Sequence, residues 1–465
     1  MSQIVSSQDD FKVPDVTIQA LKPRGFRAFI EDAPNISLFA FQGRINKAIG
    51  QDDIGEISAE VTTAKDGRWI YEDPNLQLKV GDTINYYVFI VHNRKGYVKD
   101  KLTFTVGELV EDKGLPQKGT TDCRPSITLL RVGTACAGQT VFEENFNSLR
   151  EDVWQIEQYV PDQPEYPFVS YQRPPIAQTV TVDNGNLRIE PQLQQEQPGF
   201  SNESMYSGSL NLFSGCTRTA ESCTISAWGA SILPPVVSGR ITSKTFAFTY
   251  GTVELRAKLP EGDWLYPEIL LESVLKKYGT LNYASGVIRV AGALGNRQLR
   301  LGPTDYGNKI LYGGPIMDLR CKDVLMGRKE LFNGRVWSED FHIYTMRWTP
   351  DRLTFMVDGE EWLRVDPAAS GLQGRFDSRC EIPRPLLSLG SQMAPFDDHF
   401  QLTFGVAAGG ITEFKDNVVS GDGTPKPWSN RNRKASLNFW KDLSVWRPTW
   451  REPALVIDYV KVKAL

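Results

Sequence analysis

Residues 250–296 read YGTVELRAKLPEGDWLYPEILLESVLKKYGTLNYASGVIRVAGALGN, and this stretch decides how the rest of the chain is interpreted. Apolar and polar residues alternate over 252–259, so that Val253, Leu255 and Ala257 point one way and the charged residues between them point the other. A second strand is predicted over 285–294, after a polar turn and before a Gly-Asn pair. The stretch therefore predicts two strands of a β-rich domain.

The same stretch resembles the catalytic core of family-16 β-glucanases, especially the laminarinase-like β-1,3-glucanases. Their first strand is similar to G-x-V-E-x-R-A-K-L-P-x-G, which residues 251–262 match nearly throughout. Their second strand, in active members, is similar to G-E-I-D-I-M-E-x-x-G-N, whereas residues 286–296 read GVIRVAGALGN. The flanking glycines and the asparagine keep the register, but Val287, Arg289 and Gly292 stand where the family has its two glutamates and its aspartate.

These three residues remove the chemistry that a retaining glycosidase needs. Such an enzyme uses one carboxylate as nucleophile and a second, about 5 Å away, as acid/base. Val287 cannot attack, Arg289 reverses the charge of the bridging aspartate, and Gly292 has no proton to give. Residues 287–296 contain no carboxylate at all. The resemblance therefore implies a glucanase-like scaffold that is not an enzyme, rather than an ordinary buried strand with one odd arginine.

Composition excludes several other classes of protein. The chain has 465 residues, which at roughly 150 residues per domain favours two or three domains. Its net charge is −4 and its lysines and arginines are scattered, so nucleic acid is not an expected partner. No apolar run reaches the roughly 18 residues of a membrane span. No nucleotide-binding motif or metal-ligand spacing is evident, so no cofactor or metal is predicted.

The cysteines favour an oxidising compartment. The first 15 residues lack the apolar segment of a signal peptide, yet the cysteine count of six is even and no C-x-x-C pair occurs. Fifteen pairings are possible, and local closure favours Cys123 with Cys136 and Cys216 with Cys223, leaving Cys321 with Cys380. Asn35 and Asn202 begin glycosylation sequons. We therefore expect a secreted protein whose signal peptide is absent from this sequence.

Residues 11–107 are predicted to form an immunoglobulin-like β-sandwich. About seven short strands in roughly 100 residues are typical of that fold. They are predicted at 17–19, 25–30, 36–41, 57–62, 69–71, 83–91 and 101–106. The segment resembles the N-terminal domain of invertebrate β-1,3-glucan recognition proteins, also called Gram-negative bacteria-binding proteins. The matching residues are VP at 13–14, PRGF at 23–26, SLFAFQG at 37–43, GRW at 67–69 and LKVGD at 78–82.

Residues 108–140 are interpreted as a linker, and 141–465 as the glucanase-like domain. The family match continues in FHIY at 341–344, VDG at 357–359, MAPF at 393–396, GVAAGG at 405–410 and IDYV at 457–460. Many strands and few helical stretches predict a concanavalin-like jelly-roll sandwich of two curved antiparallel sheets. The run 425–450, rich in tryptophan, is predicted to be a long ordered loop.

Aromatic side chains that could stack on sugar rings are the candidate binding residues. In the first domain the family uses a tryptophan, a neighbouring acid and an arginine, and this chain has Tyr87, Glu60 and Val98 there. Trp69 is a further candidate, or else a core residue. In the second domain the candidates for the sugar cleft are Trp264, Tyr266 and Arg289, with burial of Trp264 as the alternative.

The resemblance implies a secreted innate-immune pattern-recognition protein that binds microbial β-1,3-glucan or a related wall polysaccharide. Serine proteases of an immune cascade would be its downstream partners, again by resemblance. Two alternatives stay open. The chain could be an active β-1,3-glucanase with relocated carboxylates, for which Glu268 and Glu272 are available. It could also be a scaffold that binds other proteins and no sugar.

Overall fold

Short strands separated by turns make up most of the regular structure, as the sequence predicts. The computed structural model describes residues 11–50, 53, 55–65, 67–74, 76–93, 95–111 and 123–465. The chain divides into two units, Met1–Asp122 and Cys123–Leu465. Within the described residues, no helix is long and apolar enough to cross a membrane.

The first unit is a sandwich of two four-stranded sheets. Its strands are β1 (Thr17–Lys22), β2 (Phe26–Glu31), β3 (Ile36–Ile45), β4 (Ile57–Val61), β5 (Arg68–Asp73), β6 (Thr83–His92), β7 (Lys95–Thr105) and β8 (Val110–Glu111). One sheet has the order β5-β2-β1-β8 and the other β4-β3-β6-β7. One apolar cluster joins both, with Phe26 and Ile30 from the first sheet and Phe41 and Val88 from the second. All seven predicted strands are confirmed, while the immunoglobulin topology stays a prediction.

The boundary between the units differs from the expected linker, 108–140. Strand β8 pairs with β1 in parallel, because Leu21 lies opposite Val110, so the first unit extends to at least residue 111. The second unit begins at Cys123, and the Cys123–Cys136 disulfide lies inside it. The remainder of the expected linker, 112–122, lies outside the described residues.

The second unit contains many more strands and a few short helices. Its strands are β9 (Leu129–Leu130), β10 (Thr140–Glu144), β11 (Trp154–Ile156), β12 (Val169–Tyr171), β13 (Val180–Asp183), β14 (Asn186–Ile189), β15 (Gln192–Leu193), β16 (Ser209–Asn211), β17 (Thr224–Ser226), β18 (Val236–Ser238), β19 (Arg240–Ser243), β20 (Phe248–Thr249), β21 (Gly251–Lys258), β22 (Leu265–Ser273), β23 (Val287–Gly292), β24 (Leu299–Leu301), β25 (Thr304–Asp305), β26 (Ile310–Ile316), β27 (Gly327–Glu330), β28 (His342–Thr349), β29 (Arg352–Val357), β30 (Glu360–Val365), β31 (Phe400–Ala408), β32 (Val419–Ser420) and β33 (Leu455–Lys463). Its α-helices are α1 (Ser204–Ser207), α2 (Arg384–Leu387), α3 (Ala435–Lys441) and α4 (Leu443–Trp446), with 3-10 turns at Gln194–Glu196, Ala220–Ser222, Lys322–Val324, Leu372–Arg375 and Arg447–Thr449.

Two large sheets pack face to face in this unit. One has eight strands, ordered β13-β14-β33-β21-β28-β29-β30 with β10 beside β33. The other has nine, ordered β11-β19-β31-β22-β23-β26-β27 with β20 and β9 at its side. One apolar core takes Val253 and Trp348 from the first sheet and Ile288 and Phe404 from the second. The predicted two-sheet jelly-roll architecture is confirmed.

The alternation over 252–259 corresponds to a strand with one buried face, as predicted. Val253, Leu255 and Ala257 are fully buried on β21, and the charged residues between them are half-exposed. The strand β22, between the two predicted strands, was not anticipated because it contains Pro267 and lacks alternation. The predicted loop 425–450 is partly helical, because α3 and α4 lie within it.

The three expected disulfides are present. Cys123 pairs with Cys136, Cys216 with Cys223, and Cys321 with Cys380. The asparagines of both sequons, Asn35 and Asn202, are exposed.

Candidate functional site

The outer face of the nine-stranded sheet forms the floor of a cleft in the second unit. The cleft has a volume of about 730 Å³. Strand β22 contributes Tyr266, Glu268 and Glu272 to its lining, because alternate residues of a strand share a face. The neighbouring strand β23 contributes Val287 and Arg289 by the same rule. Two of the three positions where the family resemblance places carboxylates, 287 and 289, therefore lie on the floor of this cleft.

Arg289 is held in a buried ion pair rather than left open to a ligand. Its Nη1 and Nη2 donate to the two carboxylate oxygens of Glu413, at 2.6 and 3.3 Å. Lys322 Nζ also donates to Glu413, at 3.2 Å, and the hydroxyl of Tyr312 donates at 2.9 Å. Burial alone would raise the pKa of Glu413, but the charge of Arg289 outweighs it and holds that pKa well below its usual range. At the cleft floor, both terminal nitrogens of Arg289 are thus bound by Glu413.

Tyr312 covers the third of these positions, Gly292. The register between β23 and β26 shifts between Arg289 and Gly292, and Gly292 then pairs with Tyr312. A Cβ atom added at Gly292 would lie 3.3 Å from Tyr312 Cζ, which is closer than ordinary van der Waals contact. The Tyr312 ring, whose hydroxyl is bound to Glu413, would therefore have to shift by a few tenths of an ångström to admit a Cβ atom at 292.

Glu268 and Glu272, the carboxylates available to the alternative enzyme hypothesis, both bind Arg240. Arg240 Nε donates to Glu268 at 3.3 Å and its Nη2 donates to Glu272 at 2.8 Å. Tyr171 also donates to Glu268, at 2.7 Å. Burial acts to raise the pKa of Glu272, but the charge of Arg240 is stronger and lowers that pKa to about 2. Glu272 is therefore ionised at neutral pH and cannot serve as a proton donor.

Glu165 is the one carboxyl group of this cleft whose pKa is raised toward neutrality. It lies in the cleft wall, with Glu268 on the floor. Burial raises the pKa of Glu165 to about 7, and the negative charge of Glu268 adds to the effect. The sequence offered no signal for this residue, because its pKa depends on a loop packing over the sheet.

Of the two aromatic residues predicted for the cleft, Tyr266 lines it and Trp264 does not. Trp264 is only 2% exposed, and its ring packs edge-on against Phe414 and Trp428 at 5.3 and 5.0 Å. Its predicted sugar-stacking role is wrong, because no face of the ring is open. Tyr266 is also buried, at 3% exposed, but it lines the cleft.

A second candidate surface lies on the β4-β3-β6-β7 sheet of the first unit. In its register Glu60 lies opposite Ala40, Ala40 opposite Phe89, and Phe89 opposite Val98. Tyr87 is two residues along β6 from Phe89, so all of these side chains share one face. The three predicted residues are therefore brought together, and Phe89 stands between them. We call this the Tyr87 face.

The Tyr87 face combines aromatic, apolar and acidic groups. Tyr87 is half-buried and its hydroxyl donates to the carbonyl of Asp53 at 3.0 Å, which fixes the ring. Val98 is 44% exposed, and Glu60 is exposed. Sequence reasoning missed Phe89, although its spacing of two from Tyr87 on a predicted strand could have indicated it.

Trp69 does not join this face. It belongs to β5 in the other sheet, is 4% exposed, and its Nε1 donates to Asp32 at 2.6 Å. The alternative interpretation as a core residue is therefore the one that the structure confirms.

Comparisons with known proteins cover both units. The family model described as a carbohydrate binding domain (family 32) matches residues 12–124, and that of glycosyl hydrolases family 16 matches residues 326–379. A β-1,3-glucan-binding protein of Hyphantria cunea is 61% identical, over 99% of this chain and 97% of the relative. β-1,3-glucan-binding protein 1 of Manduca sexta is 37% identical, over 98% and 96%. Gram-negative bacteria-binding protein 3 of Drosophila melanogaster is 32% identical, over 98% and 95%.

Among solved structures, the laminarinase catalytic domain of Thermotoga maritima is similar, with 20% identity and a TM-score of 0.43 over 71% of this chain and 99% of that one. The laminarinase of Rhodothermus marinus gives 18% identity and a TM-score of 0.44, over 70% and 97%.

Proposed function

This chain belongs to the family of β-1,3-glucan-binding and Gram-negative bacteria-binding proteins, and from that membership we propose that it is a secreted, non-catalytic recognition protein for microbial β-1,3-glucan or a related wall polymer. Relatives that align over nearly the whole chain are named for binding rather than for hydrolysis. By the same resemblance, serine proteases of an immune cascade would act downstream.

The observation that carries the non-catalytic part is the occupied floor of the cleft. Where a retaining glycosidase would need two carboxylates about 5 Å apart, strand β23 has Val287, Arg289 and Gly292. Arg289 is neutralised by Glu413, and the Tyr312 ring lies where a side chain at 292 would project. The arrangement leaves neither a nucleophile nor an acid at those positions.

One observation favours the competing enzyme hypothesis enough to test it. Glu165, with a pKa of about 7, has the properties of a proton donor, and Glu268 lies in the same cleft, paired with Arg240. Laminarin incubated with the wild-type chain should release no reducing sugar. Release that disappears in the Glu268→Gln variant would show that this pair had taken over catalysis.

The Tyr87 face is the proposed site of glucan binding. Sugar rings stack on aromatic side chains through their apolar C–H faces, and a nearby carboxylate can accept hydrogen bonds from hydroxyl groups. Tyr87 and Phe89 supply the rings and Glu60 supplies the carboxylate. Val98 supplies no donor, so each sugar contact should be weak, and repeated contacts along an insoluble polymer should restore retention through avidity.

Retention of the full chain on curdlan tests this site. The double variant Tyr87→Ala/Phe89→Ala should bind about tenfold more weakly or worse, because both stacking surfaces are lost. Val98→Arg should strengthen binding by restoring a charged donor. Trp228→Ala is the matched control, because Trp228 is 84% exposed but lies in the other unit. Unchanged retention of the double variant would show that recognition lies elsewhere.

A further inference from the structure

A second, smaller cavity opens beside the cleft in the second unit. It has a volume of about 110 Å³, and Arg289 lines both spaces. Its other charged and aromatic lining residues include Tyr306, Tyr312, Lys322, Arg328 and Lys415. Since a single water molecule needs only about 10–15 Å³ of such space, the cavity has room for a polyatomic group such as a sulfate.

Two polar atoms behind the wall of the cavity have no partner within the described residues. Arg289 Nε is buried and makes no hydrogen bond to any described residue, although both terminal nitrogens of the same side chain bind Glu413. Thr412 Oγ1, also in the cavity wall, is buried and unpartnered within the described residues. A buried donor left unpaired costs about 1–3 kcal/mol. Neither atom is exposed to a water-sized group, so the donors available to a ligand are the accessible cations of the lining.

The mouth of the cavity has two exposed cations. Arg328 and Lys415 lie over the Tyr306 ring, at 4.9 and 5.0 Å from its centroid. Neither has a carboxylate within ion-pair distance in the part of the chain that the structure describes. A cation over an aromatic ring is oriented but keeps its charge. The two side chains are thus held near each other without neutralisation.

The lining as a whole has an excess of positive charge. Arg289, Lys322, Arg328 and Lys415 supply four positive charges, and Asp323 and Glu413 supply two negative ones. Glu413 is engaged between Arg289 and Lys322, so it compensates the inner cations only in part. One excess positive charge therefore remains on the inner group of Arg289, Lys322 and Glu413, and the other on the exposed residues Arg328, Lys415 and Asp323.

We propose that this cavity binds an anionic group, a sulfate, phosphate or carboxylate, carried by an acidic saccharide. Oxygen atoms of such a group would accept from the ammonium of Lys322, which has three N–H donors and gives two of them to Thr412 O and Glu413, and Arg328 and Lys415 would balance its charge. Because the cavity adjoins the cleft through Arg289, a saccharide lying in the cleft could place the charged substituent in it. Neutral glucan has no group that meets these requirements, so the site goes beyond the proposed glucan recognition.

The proposal is tested by comparing the binding of sulfated laminarin and of unmodified laminarin to the full chain. The wild-type chain should bind the sulfated polymer more tightly, and the Arg328→Ala/Lys415→Ala variant should lose roughly tenfold or more of that preference. The matched control is Arg347→Ala/Lys463→Ala, which removes one exposed arginine and one exposed lysine from the eight-stranded sheet, away from the cavity. Both pairs change the net charge by the same amount.

The outcomes separate a specific site from general attraction. A wild-type chain without preference for the sulfated polymer, or a preference lost equally in the control variant, would overturn the proposal. Inorganic sulfate that displaces the sulfated polymer would assign the site to the anion itself, and failure of sulfate to compete would assign it to the anion joined to its sugar. Binding of unmodified laminarin is measured in parallel, so failure of glucan recognition would be visible separately.

Discussion

Replacing Glu413 by glutamine tests whether the charged cluster in the cleft floor is structural. The substitution keeps the shape of the side chain but removes the negative charge that faces Arg289 and Lys322. The side chains of Arg289 and Glu413 are only 7% and 5% exposed. Removing one partner of such a buried pair leaves an uncompensated charge and typically costs about 3–5 kcal/mol. We expect Glu413→Gln to lower the free energy of unfolding of the second unit by that amount.

The partner substitution provides the internal check. Arg289→Met should cost less, because Glu413 would still be bound by Lys322 and by the Tyr312 hydroxyl. A double variant, Arg289→Met/Glu413→Leu, has neither charge, and replacing both partners by apolar groups is often nearly neutral. It should therefore be more stable than the summed single effects predict, by at least about 2 kcal/mol.

Urea unfolding followed by tryptophan fluorescence measures these differences. Trp69 is the only one of the 11 tryptophans before residue 123, so the signal reports mainly the second unit. Glu381→Gln is the matched control, because the Arg320–Glu381 pair has the same 2.6 Å separation but is 68% and 58% exposed. That variant should lose no more than about 1 kcal/mol. If Glu413→Gln loses no more than Glu381→Gln, the argument from burial is refuted.

Three further predictions concern other parts of the second unit. Between about pH 4.5 and 7, Glu165 is ionised in the unfolded chain but protonated in the folded chain. Its contribution to stability should therefore fall as the pH rises through this range, and the melting temperature should fall with it. Glu165→Gln should remove that fall in melting temperature. Protein from an oxidising host should have no titratable thiol after denaturation, and two or more would contradict the disulfides. Trp264→Ala should lower stability by about 3–5 kcal/mol in urea unfolding and leave curdlan retention unchanged, because Trp264 is buried. A loss of retention in folded Trp264→Ala protein would restore its predicted role.

Strand positions could be predicted because they depend on local pattern. The alternation over 252–259 was sufficient to locate β21, and β-branched and aromatic runs between turn residues located the strands of the first unit. Strand β22 was not predicted, because it contains Pro267 and because the apolar run at 269–271 interrupts the alternation between its two faces. The helices α3 and α4 were not predicted, because a segment dense in tryptophan has no clear helical periodicity.

Candidate side chains could be predicted only where one sheet brings them together. Tyr87, Glu60 and Val98 share a face because each lies on a strand of the same sheet. Glu413 lies 124 residues from Arg289, and nothing near either residue in the sequence indicates the other. Whether Trp264 faced solvent was equally undetermined, because the rings that bury it belong to a distant loop.

The residues at 289 and 292 each fit a partner elsewhere in the fold, and this interdependence supports the proposal that the scaffold binds rather than hydrolyses. Restoring an aspartate at 289 would remove the arginine that neutralises Glu413 and place two carboxylates together, which raises the pKa of one of them. Restoring a glutamate at 292 would push its Cβ against the Tyr312 ring. Each reversion is therefore opposed by a partner elsewhere in the fold. Carboxylates at 289 and 292 would therefore need Glu413 and Tyr312 to change as well.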